Sequence, residues 1–524
     1  MRLALFSPLP PARSGIADYT SALLGPLEKL ANVTVFSSID GGAGSPEARR
    51  FRADDFDIAL YQIGNNSWHA HAYQHALRYP GVVVMHESNL HHLIADITIK
   101  RGDWNAYLRE VEYDGGPEAL AHAERVRTLQ IGPDYDGVRM MRRILEVSRG
   151  VIVHSRSVET EVRAAGFTGP VAVIPHGAWV PDADRMGSRE RLGVSPAEVL
   201  IGVFGFLKPY KRIAQSLRVF RRLLRVQPHA KMILVGEPHP EFPIQALIQR
   251  LGISASVRIL GYTPIEDFVD YMAACDIVLN LRFPTVGESS GTLLRSLGLG
   301  KAVIVSDVGS FSEYPDEICL KAPVDETEED CLFEYLSLLA SRPDLRIALG
   351  ERARSWVAEE CSWDLVANRY FHFLQAVQEG RRWEQPVKAA SEPAKEAAAA
   401  VPAVPEEYIL GWVPQDRDAR KYARTHITRL ARTLEITPRG GPEDRVLEMG
   451  AYLQITPALK TRLGYGEVRG CYYGPPGSVQ RRTVISEEGE VFECEVDLFD
   501  AEKDEFPYAD GHFSTVLCCE LLEH

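Results

Sequence analysis

Residues 199–212, VLIGVFGFLKPYKR, decide the fold class of this chain. An apolar run ends at Gly205, three cations follow at positions 208–212, and an amphipathic pattern then extends over Ile213–Val226. This order predicts a β-strand, a loop that can approach a ligand closely, and an α-helix. Because the strand candidate is apolar throughout, it indicates a parallel sheet that is buried on both faces.

The same alternation fills the chain as far as a predicted closing helix at Trp363–Gln378. The other strand candidates are Leu3–Ser7, Val33–Ser37, Asp57–Ile63, Val82–His86, Val151–His154, Val171–Pro175, Lys231–Gly236, Val257–Gly261, Asp276–Leu281 and Ala302–Ser306. A further helix is predicted at Phe268–Ala274. The pattern predicts an α/β protein with two Rossmann-like units, separated by a Pro-, Asp- and Arg-rich break at Val180–Ala197.

The composition changes after this region. Residues 384–406, EQPVKAASEPAKEAAAAVPAVPE, are of low complexity and lack aromatic residues, which predicts a linker. Beyond it we expect one or two helices within Tyr408–Leu434, and strands at Arg445–Met449, Glu467–Tyr473 and Ser514–Cys519. A complete α/β domain would need roughly 80–100 residues more. We therefore expect an incomplete third Rossmann-like domain.

The composition is that of an ordinary globular protein, with 45% hydrophobic and 25% charged residues and a net charge of −14. An acidic balance argues against nucleic acid as a partner, since phosphate binding needs clustered Lys and Arg. The eight cysteines show no zinc-site spacing, which favours a reducing compartment and a cytoplasmic location. No run is long enough to span a membrane, so membrane contact is expected to be peripheral at most.

Two strand-to-helix junctions carry phosphate-binding chemistry. In the first, Lys211 and Arg212 stand at a helix N-terminus, where cations are unfavourable unless an anion is bound. In the second, residues 280–292 (NLRFPTVGESSGT) offer the backbone amides and hydroxyls of Ser289, Ser290, Gly291 and Thr292. The alternatives are a solvated basic face and a helix capped without a ligand. Together the junctions predict a nucleotide-diphosphate site.

The first half of the chain offers further candidates. Gly15 follows the first strand in the stretch PLPPARSGIADY (8–19) and could let a ligand approach the next helix. His86 ends a predicted strand, as do His154 and His176. Ligands bind at the carboxyl ends of strands in such sheets, so His86 is the candidate for a contact with the sugar or the acceptor hydroxyl. The alternative for each histidine is a buried, hydrogen-bonded imidazole.

Residues 1–380 resemble the family-4 glycosyltransferases, which have the GT-B fold. The resemblance rests on Gly205 through Arg212, on GKAVIVSDVG at 300–309, on IPHG at 174–177 and on the closing helix around Trp363. It implies that Lys211 binds the donor diphosphate, that the reaction retains the configuration at the sugar carbon, and that no metal is required.

This chain departs from the family pattern at an acidic pair. The pair is spaced as E-x7-E before the GKPVI-type strand, and its members would fall on Gly287 and Arg295. Glu288 is the only local carboxylate, and Arg295 stands where the family holds the nucleotide ribose. An arginine that often follows the loop glycine is Phe206 here, so Arg282 or Arg212 is expected to supply that charge.

The last 118 residues resemble class I S-adenosylmethionine-dependent methyltransferases. RVLEMG at 445–450 is similar to the first strand and glycine loop, and residues 505–524 to a later motif. The resemblance implies cofactor contacts at Glu448 and Gly450, and at Asp497 with adenine. The residues after Gly450, AYLQ, replace glycines of the family and would crowd the cofactor.

The predicted organisation is an acceptor domain at 1–185, a nucleotide-sugar domain at 186–383, a linker at 384–406 and a partial methyltransferase-like domain at 407–524. The predicted function is transfer of a sugar from a nucleotide-diphosphate sugar to a saccharide or glycolipid acceptor. Lys211, Arg212, Glu288 and His86 are the predicted catalytic residues, and Gly15, Gly205, Ser289, Ser290, Gly291, Thr292, Arg282 and Arg295 the predicted donor-binding residues. No metal or cofactor is expected for this transfer, while S-adenosylmethionine is the candidate cofactor of the C-terminal domain.

Alternatives from other classes stay open. They are a non-catalytic scaffold with a degenerate donor site, a nucleotide-sugar epimerase, and an NAD-linked enzyme. The last is disfavoured because the first strand–helix loop lacks G-x-G-x-x-G.

Overall fold

The computed structural model describes residues 1–12, 14–37, 51–180, 182–384, 405–413, 417–501, 503–509 and 511–518. It divides into two compact units, Met1–Gln385 and Pro386–His524. Most of the predicted linker at 384–406 lies outside the described residues, as does the end of the methyltransferase-like motif at 519–524.

The first half of the larger unit is built on a parallel six-stranded sheet of order β2-β1-β3-β4-β5-β6. Its strands are β1 (Arg2–Phe6), β2 (Asn32–Phe36), β3 (Ile58–Ile63), β4 (Val82–Met85), β5 (Gly150–Val153) and β6 (Val171–Val173). Its helices are α1 (Gly15–Glu28), α2 (Ala70–Arg78), α3 (His91–Ile97), α4 (Trp104–Arg127), α5 (Arg142–Val147) and α6 (Arg156–Ala164). The central strands β3 and β4 are buried along their whole length, as their continuous apolar sequences predict.

The second half repeats this architecture with sheet order β12-β11-β10-β7-β8-β9, again all parallel. Its strands are β7 (Leu200–Phe204), β8 (Lys231–Val235), β9 (Val257–Gly261), β10 (Ile277–Asn280), β11 (Ala302–Ser306) and β12 (Leu320–Ala322). Its helices are α7 (Arg185–Leu192), α8 (Ile213–Leu223), α9 (Ile244–Leu251), α10 (Ile265–Ala274), α11 (Gly291–Gly298), α12 (Glu328–Ser341) and α13 (Pro343–Glu360). The strands predicted before Trp363 are all present, with ends shifted by two residues at most, and β12 was not predicted.

Helix α7 lies inside the stretch that the sequence marks as a break. Arg185 and Arg189 on this helix form ion pairs with Asp276, at 2.7 and 3.0 Å, just before β10. The helix therefore belongs to the second half, and the change between halves comes before it.

Helix α14 (Trp363–Gln378) has the predicted bounds. It crosses back to the first half, where its apolar face joins the cluster formed by β1, α1 and β3. Tyr370 on α14 and Tyr19 on α1 share a hydrogen bond of 2.8 Å between their hydroxyl groups. The closing helix is therefore part of the first hydrophobic core.

The smaller unit has a mixed sheet whose five described strands follow the order β15-β16-β14-β13-β17; β15 is antiparallel to β16, and the other described pairs are parallel. Its strands are β13 (Arg445–Met449), β14 (Glu467–Tyr472), β15 (Ser478–Ile485), β16 (Val491–Leu498) and β17 (Thr515–Cys518). Its helices are α15 (Glu406–Gly411), α16 (Arg417–Thr425), α17 (Ile427–Ile436) and α18 (Thr456–Thr461). Where one or two helices were expected before β13, the described residues of this stretch form three, and the β15–β16 hairpin was not predicted.

Candidate functional site

The two predicted phosphate-binding segments meet at Gly205, directly after β7. Gly205 has a φ of +84°, and a Cβ placed there would lie 2.5 Å from Lys211 Nζ and 3.9 Å from Thr292 Cγ2. A side chain is excluded by both the backbone conformation and the close lysine. Lys211 and Thr292 at the start of α11 therefore lie on the same side of the sheet, where Phe204, Lys211, Asn280 and Arg282 line a small pocket.

Lys211 points into this pocket and is buried. Its Nζ donates a hydrogen bond of 2.7 Å to the carbonyl oxygen of Phe204. Burial, with Arg282 and Lys208 nearby, holds the pKa of Lys211 well below its usual value, and Glu288 opposes that shift. A buried lysine among like charges is poised to take an anion, which would restore its positive charge.

Arg282 supplies the second cation of the pocket. It is buried at the end of β10, and its guanidinium lies 5.8 Å from the Tyr210 ring and 5.6 Å from the Phe311 ring. Its Nη2 donates to Ser290 Oγ at 3.1 Å, while its Nε has no hydrogen-bond partner among the described residues. Because a buried donor without a hydrogen bond is costly, this nitrogen marks a place where a ligand oxygen would be stabilising.

Helix α11 presents its N-terminus to the same pocket. Ser290 is the N-cap, with its Oγ accepting from the Leu293 amide at 3.2 Å and lying 2.9 Å from Thr292 Oγ1. Asn280 Nδ2 also donates to Thr292 Oγ1, at 3.0 Å, which ties β10 to the helix start. Ser289 and Gly291 flank the cap and are partly exposed. This helix start provides amide groups that suit a diphosphate.

Glu288 closes the loop that leads to α11. Its Oε2 accepts from Thr285 Oγ1 at 2.7 Å and from the Val286 amide at 3.0 Å. Its Oε1 lies 3.7 Å from Arg282 Nε. The carboxylate therefore holds the loop in shape and partly balances the charge of Arg282.

Arg212 does not join Lys211 in this pocket. Its Nε donates to Glu328 Oε1 on α12 at 2.9 Å, and the two side chains form an ion pair. Glu328 is buried and needs a cationic partner, which accounts for the direction of Arg212. Of the two arginines proposed from the sequence to supply the missing charge, the structure places Arg282 in the pocket.

Arg295 faces the first half of the unit. Its guanidinium lies 5.1 Å from the Trp179 ring, and its Nε is buried without a hydrogen-bond partner among the described residues. Asp18 on α1 approaches it: burial raises the pKa of Asp18, and the charge of Arg295 opposes that rise. Arg295 is thus matched by a carboxylate from the other half.

Gly15 is the first residue of α1, next to this aspartate. The preceding Ser14 caps the helix, accepting from the Ile16 amide at 3.3 Å. A Cβ at Gly15 would meet no atom within 4 Å. The protein itself therefore does not require glycine here, which leaves ligand approach as a reason for it.

His86 is buried and already has partners on both ring nitrogens. Its Nε2 lies 2.6 Å from Gln62 Oε1 and its Nδ1 lies 3.2 Å from His154 Nε2. Burial, with His154 and His176 nearby, holds the pKa of His86 well below its usual value, so the imidazole is neutral. This arrangement matches the buried, hydrogen-bonded alternative more closely than a free contact for an acceptor.

The carboxyl end of β4 also carries Glu87, which the sequence reasoning missed. Glu87 follows His86 directly, so the same strand-end argument could have found it. The next residue, Ser88, contacts the loop at Val286 in the second half. Glu87 therefore lies where the two halves meet beside the predicted donor site.

The three residues of the smaller unit that were predicted to bind a cofactor have different surroundings. Both carboxylate oxygens of Asp497 are taken, by Arg469 at 2.5 and 3.0 Å and by Tyr508 Oη at 2.6 Å. Glu448 is buried, one of its oxygens lacks a hydrogen-bond partner among the described residues, and burial raises its pKa to about 7. Gly450 adopts a left-handed φ of 69°. Asp497 is thus a buried ion-pair partner rather than a free adenine contact.

A cavity of about 450 Å³ opens at the carboxyl ends of β14 and β16. It is lined by Tyr473, Gly474, Pro475, Pro476, Asp500, Lys503 and Asp504. A volume in this range is typical of small-molecule sites. An open cavity of this unit therefore lies beside Tyr473.

The described parts of the chain lack two features. They contain no helix that is both long and apolar enough to cross a membrane. They also contain no group of three or more His, Cys, Asp or Glu side chains arranged to hold a metal ion.

Comparisons with known proteins agree with this geometry. Residues 185–356 match the family model "Glycosyl transferases group 1". A GDP-mannose-dependent monoacylated alpha-(1-6)-phosphatidylinositol monomannoside mannosyltransferase of Corynebacterium glutamicum is 23% identical over 62% of this chain and 91% of its own length. A D-inositol 3-phosphate glycosyltransferase of Corynebacterium jeikeium is 31% identical over 38% of this chain and 50% of its own length.

Two solved structures share the fold of the larger unit. Anabaena HepE in complex with UDP and glucose has a TM-score of 0.50 at 16% identity, covering 72% of this chain and all of that one. Sucrose-phosphate synthase of Thermosynechococcus elongatus has a TM-score of 0.52 at 15% identity, with the same coverage. The matched domain, the shared GT-B fold and the relatives together establish that this protein is a glycosyltransferase with a group 1 domain at residues 185–356.

Proposed function

We propose that the protein moves a hexose from a nucleotide-diphosphate sugar to a hydroxyl group of a saccharide or lipid-linked acceptor. The observation that carries this proposal is the convergence of Lys211, Arg282 and the start of α11 around Gly205. The two cations and the helix N-terminus suit the diphosphate of a donor.

The electrostatics of the pocket suit departure of the nucleotide. Negative charge grows on the diphosphate as its bond to the sugar breaks. Lys211, the guanidinium of Arg282 and the first amides of α11 would stabilise that charge where it develops. Glu288 would keep Arg282 oriented without competing for the phosphate, since its Oε2 is occupied within its own loop.

GDP-mannose is the first donor to test, because the name of the Corynebacterium glutamicum relative specifies it. UDP-glucose is the second, because HepE has the same fold and was solved with UDP and glucose. The name of the Corynebacterium glutamicum relative also points to a lipid-linked acceptor such as a phosphatidylinositol mannoside. We further propose that the transfer retains the anomeric configuration, requires no metal, and takes place in the cytoplasm with peripheral contact to a membrane that carries the acceptor.

Thermal-shift titration with GDP and UDP tests the donor site and the scaffold alternative together. A working site should raise the melting temperature with at least one nucleotide, since a ligand that binds only the folded state stabilises it. No stabilisation with either nucleotide would favour the non-catalytic scaffold.

A nucleotide-sugar screen tests the transfer itself. We expect Lys211→Ala to reduce turnover by about 100-fold or more, since it removes a group that stabilises the transition state. Lys100→Ala is the control, because Lys100 is exposed and pairs with Asp96 on the first half. NMR of the product's anomeric proton tests retention, and an assay with EDTA tests metal independence.

For the smaller unit we propose a methyltransferase-type domain whose ligand cavity is the one beside Tyr473. The parallel order β16-β14-β13-β17 and the cavity at two strand carboxyl ends support this proposal. S-adenosylmethionine would supply a methyl group there when bound, with the Tyr473 ring available to stack on adenine. Thermal shift with S-adenosylmethionine and S-adenosylhomocysteine should show stabilisation that Tyr473→Ala abolishes and the control Val479→Ala, on exposed β15, retains.

A further inference from the structure

The two halves of the larger unit are clamped together at the carboxyl end of β4. The amide and the hydroxyl group of Ser88 both donate to the carbonyl oxygen of Val286, each at 2.8 Å. Arg139 also contacts the Ser88 hydroxyl, and Ser88 is buried. This clamp fixes the backbone before Ser88 against the loop that carries Glu288.

Glu87 directly precedes Ser88 of this clamp, and few neighbouring groups stabilise its negative charge. Its Oε1 accepts a long hydrogen bond, 3.3 Å, from the backbone amide of Asn65, and the Asn65 side chain is also a hydrogen-bond partner of the carboxyl group. Asn65 in turn accepts from the Leu93 amide at 3.0 Å, which fixes the loop after β3. Burial and the facing carboxylate of Glu288 raise the pKa of Glu87 to about 7.

The cations of the site do not neutralise Glu87. Arg282 Nε lies 3.7 Å from Glu288 Oε1. The carboxylate that acts on the pKa of Lys211 is that of Glu288 and not that of Glu87. Arg139 is engaged by Ser88 and by Glu161, the latter at 3.1 Å. The adjacent His86 is neutral. The carboxyl group is thus placed beside another carboxylate, with hydrogen bonds from Asn65 and no cation of the site to balance its charge, which a purely structural role does not explain.

We propose that Glu87 positions the acceptor: its carboxylate accepts a hydrogen bond from the hydroxyl group that receives the sugar. The inference rests on the proposed transfer, in which the donor is held from the opposite half by Lys211, Arg282 and α11. The bond between the acceptor oxygen and the sugar carbon forms as the bond from that carbon to the diphosphate breaks. The hydroxyl proton passes to the departing diphosphate oxygen, so Glu87 ends the reaction as it began.

This role makes transfer depend on pH in a defined direction. Glu87 accepts the hydroxyl hydrogen bond only as a carboxylate, so transfer should rise with pH through about 7. Glu288 is the charged group that faces it from the second half, and its charge adds to the effect of burial in raising the pKa of Glu87. The buried His86, His154 and His69 have pKa values held below the ordinary range and stay neutral across this window.

The test compares Glu87→Gln with the wild type, using GDP-mannose and UDP-glucose as donors. Transfer to phosphatidylinositol monomannoside and to methyl α-mannoside is measured beside hydrolysis of each donor. In Glu87→Gln we expect kcat/KM for the acceptor to fall about 10- to 100-fold. We also expect the rise of the transfer rate with pH near pH 7 to disappear. Donor hydrolysis and donor KM should stay within about twofold of wild type. The exposed Glu118→Gln is the matched control.

The outcomes separate this inference from the proposed function. A wild type that transfers to no acceptor defeats the proposed function, and the role of Glu87 falls with it. A wild type that transfers, beside a Glu87→Gln variant that transfers equally well, defeats the role of Glu87 alone. An equal loss of transfer and hydrolysis, or calorimetry showing weaker GDP or UDP binding in the variant, would make Glu87 a structural or donor-binding group and overturn the proposal.

Discussion

Lys211 is maintained at a cost to the unliganded protein. Its ammonium group is buried beside Arg282 and meets a carbonyl oxygen. Replacing it by methionine keeps the volume and removes the charge, so Lys211→Met should melt at the wild-type temperature or above it without ligand. The same variant should lose the stabilisation by GDP or UDP. A fluorescence melting curve with and without nucleotide checks both, and a variant still stabilised by nucleotide would contradict the role of Lys211.

The depressed pKa of Lys211 also couples nucleotide binding to protons. In the free protein the amine loses its proton below the usual lysine range, and bound phosphate raises its pKa. Binding therefore takes up a proton above the free-protein pKa, and affinity should fall as pH rises through it. Calorimetry in buffers of different ionisation enthalpy measures this uptake. The proton uptake should be absent in Lys211→Met.

Asp18 and Arg295 form a second charge pair that can be tested. The pair lies between the two halves, and Asp18 is exposed, so we expect a small coupling of about two- to fivefold in nucleotide affinity. Arg295→Ala should weaken binding more than Asp18→Asn. In the Arg295→Ala background the aspartate change should then have little effect. Additive losses in this double-mutant cycle would show that the two side chains act independently.

Part of this site can be read from the sequence. Gly205, Lys211 and residues 290–292 follow strand ends in motifs whose backbone geometry fixes where they lie. Arg212 could not be placed, because its direction is set by Glu328, which is distant in sequence. The same holds in the smaller unit for Asp497, whose direction is set by Arg469 on a neighbouring strand. Burial and the charge of Glu288 from the other half raise the pKa of Glu87, and no local sequence pattern reveals such a pairing.

At the scale of elements, helix α6 is capped by a carboxylate from the other half. Glu313 accepts from the amides of Arg156 and Ser157, at 2.8 and 2.6 Å. These are N-terminal amides of the helix, where negative charge is favourable. Glu313→Ala should lower the free energy of unfolding by about 0.5–2 kcal/mol in a denaturant titration. Glu317→Ala, an exposed change in the same loop region, should have almost no effect.

The elements themselves were mostly predictable where they are buried. The apolar sequences of strands such as β3 and β11 are enough by themselves to predict these strands. The β15–β16 hairpin was missed although Phe492, Cys494 and Val496 alternate with glutamates, a period-two pattern that is buried on one face only. Strand β15 is largely exposed at a sheet edge, so its sequence carries little apolar signal.

For the whole molecule, the doubly wound order explains why one chain makes two halves that share a site. In each half the carboxyl ends of the parallel strands gather the loops, and α14 returns the chain from the second half to the first. Apolar runs predict the halves. They do not predict the contacts between them, such as Ser88 with Val286, because those depend on how two finished surfaces fit.

Helix α14 determines how short a segment of the chain can be and still fold as the larger unit. Val366, Tyr370, Phe373 and Leu374 are fully buried against the first half. Removing them exposes side chains worth about 1.5–3 kcal/mol each, a sum comparable to the 5–15 kcal/mol that stabilises a typical domain. Residues 1–384 should therefore fold and bind nucleotide like the full chain, whereas residues 1–362 should aggregate or melt without a cooperative transition. Circular dichroism melts and nucleotide titration of both segments decide the matter, and a cooperative, nucleotide-binding 1–362 would show that α14 is dispensable for this fold.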